Sequence, residues 1–231
     1  MSRVHIRPLN SLGNPPAQVS FSDNFNRANG EPGSNWLRSL GGNDVNTLES
    51  WGTASIVANR FVMAGRGENN PNAVLWTSWL PIPVISAIYS KPRVFVQATW
   101  IAAVGSASYV CLRYNNAAEA GPITNPNGCD AYIAGPDGQT ARFLNGQTAA
   151  AVGVNAVAVV SGNVVRMEAE NSGTSVILTS YINGAQVNQN TILAAAFPIP
   201  KGLPGFFLFL VSGAPPTGAT ATWDDFSCGV F

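Results

Sequence analysis

The two ends of the chain carry segments of the same kind, and that likeness constrains the fold more than any other feature. Phe21-Ser22-Asp23-Asn24-Phe25 near the start and Trp223-Asp224-Asp225-Phe226-Ser227 near the end both run from an aromatic residue through acids or amides to Phe, at opposite ends of a 231-residue chain. Such a pair predicts first and last strands lying side by side in one sheet. That closure would draw residues 21–231 into one β domain.

Between the ends, from Val19 onward, short β-branched or aromatic runs alternate with Gly, Asn and Pro, the pattern of an antiparallel sandwich. Ser55-Ile56-Val57, Ala58-Asn59 and Arg60-Phe61-Val62-Met63 read as a hairpin. Val94 to Ala102 and Ser108 to Tyr114 read as a second pair joined through Gly105. Cys129 to Ala134 and Thr140 to Leu144 flank the turn sequence Gly135-Pro136-Asp137-Gly138. In the most regular stretch, Val165, Met167 and Ala169 alternate with Arg166, Glu168 and Glu170, which predicts one buried and one wet face. Asn183-Gly184 then supplies the positive φ angles of a tight turn. Ala149 to Val160 contains Gly153 and lacks a polar stripe, so it reads as loop and strand.

These segments resemble concanavalin A-like and laminin G-like jelly rolls. The likeness lies in the Asp23-Asn24-Phe25-Asn26-Arg27 start, the Gly33-Ser34-Asn35-Trp36 element, the Arg166-x-Glu168 to Asn183-Gly184 hairpin, the Gly202-led strand into Phe206-Phe207 and the Asp224-Asp225-Phe226-Ser227 end. The resemblance implies an all-β, antiparallel jelly-roll β-sandwich of the lectin and glucanase type, over residues 21–231. Relatives of this kind are often glycan-binding or structural modules.

Residues 1–20 hold Pro8, Pro15 and Pro16 and no sustained period, so they read as an extended N-terminal arm. Val4, Ile6 and Leu9 are its candidate docking residues on a neighbouring subunit. No apolar run suits a signal peptide or a membrane span, so the expectation is a chain made in the cytoplasm or one whose leader was removed before this numbering begins.

Charged residues make up 10% of the chain, 12 basic against 12 acidic, where about 25% is usual. There is no electrostatic footprint for nucleic acid or for an anionic membrane surface. A surface so poor in charge repels copies of itself weakly and suits a component of a larger assembly, including a homo-oligomer. The three cysteines, Cys111, Cys129 and Cys228, form no metal-binding spacing. They read as buried thiols, with a Cys111–Cys129 bridge as the alternative.

Catalysis finds little support among the residues. The E-x-D-x-x-E string of glucanases with this fold is missing, Glu168 and Glu170 sit on an amphipathic strand as a solvated pair, and the one histidine, His5, lies in the arm. The expectation is a non-enzymatic protein. Asp23, Asp224 and Asp225 would be brought together by closure of the ends, and the resemblance makes them candidates for a structural calcium. For glycan binding the candidates are Trp51 and Tyr114 with Asn115 and Asn116, a ring with amides beside it. Trp76, Trp79 and Tyr132 are further aromatics, expected in the core. Taken together, the arm, the scarcity of charge and the sandwich look like a tailed-bacteriophage virion protein, docked to capsid or tail proteins. The alternative is a lectin-like module recognising cell-surface polysaccharide through the concave sheet.

Overall fold

The computed structural model describes residues 18–42, 52–65, 75–81, 88, 90–104, 107–116, 129–136, 138–144, 147–153, 157–194, 199, 201–210 and 220–231. Residues 1–17 of the expected arm, with Val4, Ile6 and Leu9, and the expected ring Trp51 lie outside these residues, whereas residues 18–20 of that arm belong to the first strand. Among the described residues no helix is long and apolar enough to cross a membrane.

The strands form two antiparallel sheets. The eight-stranded sheet runs in the order β13 (Ala185–Ile192), β12 (Ser175–Ile182), β11 (Val164–Ser172), β6 (Arg93–Val104), β15 (Thr220–Val230), β4 (Arg60–Gly65) and β3 (Gly52–Val57), with β1 (Gln18–Asp23) also on β15. The seven-stranded sheet runs β10 (Gln147–Gly153), β9 (Thr140–Leu144), β8 (Cys129–Ala134), β7 (Ala107–Asn116), β14 (Leu203–Leu210), β5 (Leu75–Pro81) and β2 (Trp36–Gly42). This is the jelly-roll sandwich expected from the sequence.

The ends meet as the sequence implies: Gln18 lies opposite Val230, Ser22 opposite Ser227 and Asp23 opposite Phe226. Gly229 makes the approach feasible, because a Cβ there would fall 1.9 Å from the Gln18 carbonyl oxygen. The pairing starts at Gln18, three positions before the motif that opens on Phe21.

Alternation sends Phe61, Val96, Met167, Phe206, Phe226 and their neighbours into one core between the sheets. Trp36 and Phe61 both stack on Phe206, with centroids 5.7 and 4.9 Å away. Trp223 donates its indole N–H to Ser108 Oγ at 2.7 Å and so ties the two sheets through their shared core. On the opposite face of the seven-stranded sheet, Cys111, Ile133 and Phe207 form a second buried apolar layer.

The β3–β4, β8–β9 and β11–β12–β13 hairpins form where turn chemistry predicts them. Ala58 and Asn59, then Asn183 and Gly184, all have positive φ, as two-residue turns of this hand require. Two expectations are corrected, and the alternative of a bridged cysteine pair is excluded. β6 and β7 are not a hairpin, since β6 pairs with β11 and β15 while β7 pairs with β8 and β14 in the other sheet. Cys111 and Cys129 cannot be bridged: Cys129 lies opposite Asn116, which puts it roughly 16 Å along the strand from Cys111, far beyond disulfide reach. Cys111 and Cys228 are buried free thiols, and burial pushes both well above the usual thiol range. Glu168 is not solvated. It is 7% exposed, although it lies on the outward face of β11.

Candidate functional site

The burial of Glu168 follows from what surrounds it. Arg166 donates to Glu168 Oε1 from Nε at 3.0 Å and places its NH2 nitrogen 2.9 Å from the same oxygen as an ion pair, and Arg93 donates to Oε2 at 3.1 Å. Arg93 Nε lies 3.3 Å from Glu170 Oε2, near enough for attraction but misaligned for a hydrogen bond. The guanidinium of Arg166 covers Phe95 at 4.1 Å, and that of Arg93 covers Phe231 at 4.0 Å. Two arginines thus act as lids as well as ion-pair donors, with their stems covering apolar surface.

Register places this cluster in a longer polar row. Ser22 lies opposite Ser227, Ser227 opposite Gln97, Gln97 opposite Arg166 and Arg166 opposite Tyr181. Five adjacent strands, β1, β15, β6, β11 and β12, therefore present hydroxyl, amide, guanidinium and phenol groups in one line, about 19 Å long at ordinary strand spacing. Burial raises the pKa of the Tyr181 phenol, and the nearby Glu168 charge adds to that.

At its β1 end the row opens into a cleft of about 490 Å³ lined by Ser22, Asp23, Asn24, Gln97, Asp225, Phe226 and Ser227. The backbone here is unusual: Asp225 has φ 46° at a bulge between Asp224 and Ser227. Aspartate tolerates this region better than most residues, and irregular backbone of this kind clusters at functional sites. Burial and then the Asp225 charge hold the Asp224 carboxyl above the ordinary range, and the Asp225 N–H bonded to its Oδ1 only partly offsets this.

Closure brings Asp23 and Asp225 to one cleft, but Asp23 is committed elsewhere. Its Oδ1 accepts from the Phe25 N–H at 2.8 Å and from Arg27 at 2.7 Å, and its Oδ2 from Arg27 at 3.0 Å and from Trp36 Nε1 at 2.8 Å. Burial pushes its pKa up, and the Arg27, Trp36 and Phe25 bonds outweigh that push, leaving it below the ordinary range. A carboxylate with both oxygens saturated and a guanidinium against it is a poor calcium ligand. Among the described residues no three His, Cys, Asp or Glu side chains converge. Of the expected calcium set of Asp23, Asp224 and Asp225, the structure engages Asp23 with Arg27 and Trp36 instead.

Tyr114 is also corrected as a sugar platform. Its ring is 2% exposed, inside the second apolar layer and 6.5 Å from Phe207. Asn115 and Asn116 continue β7 opposite Asp130 and Cys129. Tyr132 is buried as expected and its hydroxyl accepts from the Ile199 N–H at 2.7 Å. Sequence reading missed Ser22, Gln97, Ser227 and Tyr181. The spacing of Arg166 and Tyr181 in the predicted hairpin was the one signal that could have found part of this row.

The architecture is that of concanavalin A-like and galectin-like jelly rolls. Similar solved structures include the laminarinase from Rhodothermus marinus, 12% identical, covering 94% of this chain and 98% of that one with a TM-score of 0.54. The endo-1,3-beta-glucanase from Streptomyces sioyaensis is 14% identical with the same coverage and TM-score. A galectin-like protein of unknown function from Bacillus subtilis is 7% identical, covers 93% of this chain and 98% of that one, and has a TM-score of 0.51. No family model matches the chain, and no curated protein matches it in sequence. The expectation of a non-enzymatic protein is corrected by these structures, since two enzymes share the architecture along nearly their whole length. The missing E-x-D-x-x-E string was too narrow a test, because facing strands can supply carboxylates that no linear motif records. The expected virion role draws no support from these structures.

Proposed function

We propose that this chain is a lectin-like carbohydrate-binding module that engages polysaccharide across the outer face of its eight-stranded sheet. The observation that carries this reading is the polar row from Ser22 to Tyr181, which runs over five strands and opens into the Asp225 cleft. Sugar hydroxyls need donors and acceptors held at fixed positions, and strand register supplies that rigidity before any ligand arrives. The scarcity of net charge suits a neutral ligand whose recognition rests on hydrogen bonds. That both glucanases act on carbohydrate, by their names, agrees with this reading.

The test is a glycan array with the full chain, followed by calorimetry with laminarin and with mannan. Selective binding that Tyr181→Ala and Ser227→Val each weaken supports the reading. Absence of binding to every glycan, or binding untouched by both substitutions, overturns it. New reducing ends measured in the same incubations report cleavage separately.

A further inference from the structure

Gln97 stands where the ionic cluster and the cleft meet. Arg166 donates from its NH1 nitrogen to Gln97 Oε1 at 3.1 Å. Guanidinium nitrogens only donate, so the carbonyl oxygen of this amide must face Arg166 and its NH2 group must face away. Arg166 cannot swing to release it, because its Nε–H bonds Glu168 Oε1, its NH2 nitrogen is ion-paired with the same oxygen and its guanidinium lies over Phe95. Glu168 is itself fixed from the other side by Arg93. A buried carboxylate therefore sets an arginine, and the arginine sets which end of an amide the cleft receives.

The same cleft receives the exposed carboxylate of Asp225, the hydroxyls of Ser22 and Ser227 and the amide of Asn24. Asn24 is oriented too: its Oδ1 accepts from the Asn26 N–H at 3.2 Å, which turns its NH2 group away from that contact. Oriented amide donors beside a carboxylate acceptor suit two neighbouring hydroxyls, one donating to the carboxylate while the other accepts from an amide. The cations nearby are already matched, Arg166 and Arg93 by Glu168 and Arg27 by Asp23. The exposed carboxylate of Asp225 adds a negative charge to the cleft, which disfavours a carboxylated sugar.

We propose that the cleft takes the vicinal diol of a neutral sugar ring, and that Glu168 and Arg166 are positioning residues that aim the Gln97 amide at it. This rests on the carbohydrate-binding reading above. The Gln97 donor is the specificity element, and Arg166 contributes to binding only through it.

Calorimetry on the full chain tests this with neutral glucan oligosaccharides and with oligouronates of the same length. Gln97→Glu keeps the side-chain shape and the contact with Arg166 but replaces the donor by an acceptor, so it should weaken glucan binding about ten-fold with the melting temperature unchanged. Arg166→Gln should weaken binding in the wild-type background and have no further effect in a Gln97→Ala background. Failure of the wild-type chain to bind any neutral glycan removes the carbohydrate reading and this one with it. Wild-type binding that Gln97→Glu leaves intact overturns the aimed-donor proposal alone. Additive effects of Arg166→Gln and Gln97→Ala overturn the positioning role. Equal affinity for oligouronates overturns the neutral-diol assignment.

Discussion

Asp23 gathers four hydrogen bonds onto one carboxylate, and with Arg27 and Trp36 it locks the turn that follows β1. Its folded pKa lies below the ordinary carboxylate range. As pH falls, the unfolded chain therefore takes up this proton first. The stabilisation is complete above the unfolded value and is lost as pH drops through the folded one. Asp23→Asn should lower the melting temperature at pH 7 by several degrees, of order 2 kcal/mol, and make the acid-side decline below about pH 4 shallower. Melting curves from pH 2 to 7 check both. Asp224 has the opposite sign, because burial and Asp225 raise its folded pKa and its charge opposes folding at neutral pH. Asp224→Asn should therefore raise the melting temperature at pH 7 and leave it unchanged at pH 3, in the same series of curves. The Asp23 knot was half legible: Asp23, Arg27 and Trp36 were all singled out in the sequence. Their mutual bonding was not, since a carboxylate reads alike whether it waits for calcium or for an arginine.

At the scale of elements, two features hold strands where local propensity alone would not. Gly229 lets β1 lie against β15, and Gly229→Ala would drive its Cβ into the Gln18 carbonyl. That variant should lose the protection of the Val19 to Asp23 amides in hydrogen exchange while the β11–β12–β13 amides stay protected. Loss of protection everywhere, or nowhere, would contradict it. Arg113, fully buried at φ 54°, donates to the carbonyls of Ile199 at 2.8 Å, Pro92 at 3.0 Å and Ala169 at 3.3 Å, and to Asn171 Oδ1. It leaves β7 in one sheet to satisfy backbone next to β6 and within β11 in the other. Burial brings its pKa down to about 10. Arg113→Met should cost about 3 kcal/mol in urea unfolding, because it strands several buried acceptors at once. Hairpins were readable because their turn residues sit between the paired strands. The passage from β6 to β7 was not, since two amphipathic strands joined by a short loop look alike whether they pair or change sheets.

Over the whole molecule, equal numbers of acidic and basic residues, 12 of each, carry no long-range field. Glycan binding at the proposed site should therefore vary less than about two-fold between 50 and 500 mM salt, where a charge-steered complex loses much more. Affinity measured across that range decides it, and a steep decline would point to an ionic ligand. The all-β architecture and the meeting of the two ends followed from the sequence by itself, because side-chain period and turn chemistry are local and repeat along the chain. Which residues share the outer face of the eight-stranded sheet was decided only in three dimensions. Ser22, Ser227, Gln97, Arg166 and Tyr181 come from strands scattered over the length of the chain, and only pairing register, a property of no single segment, sets them in one row.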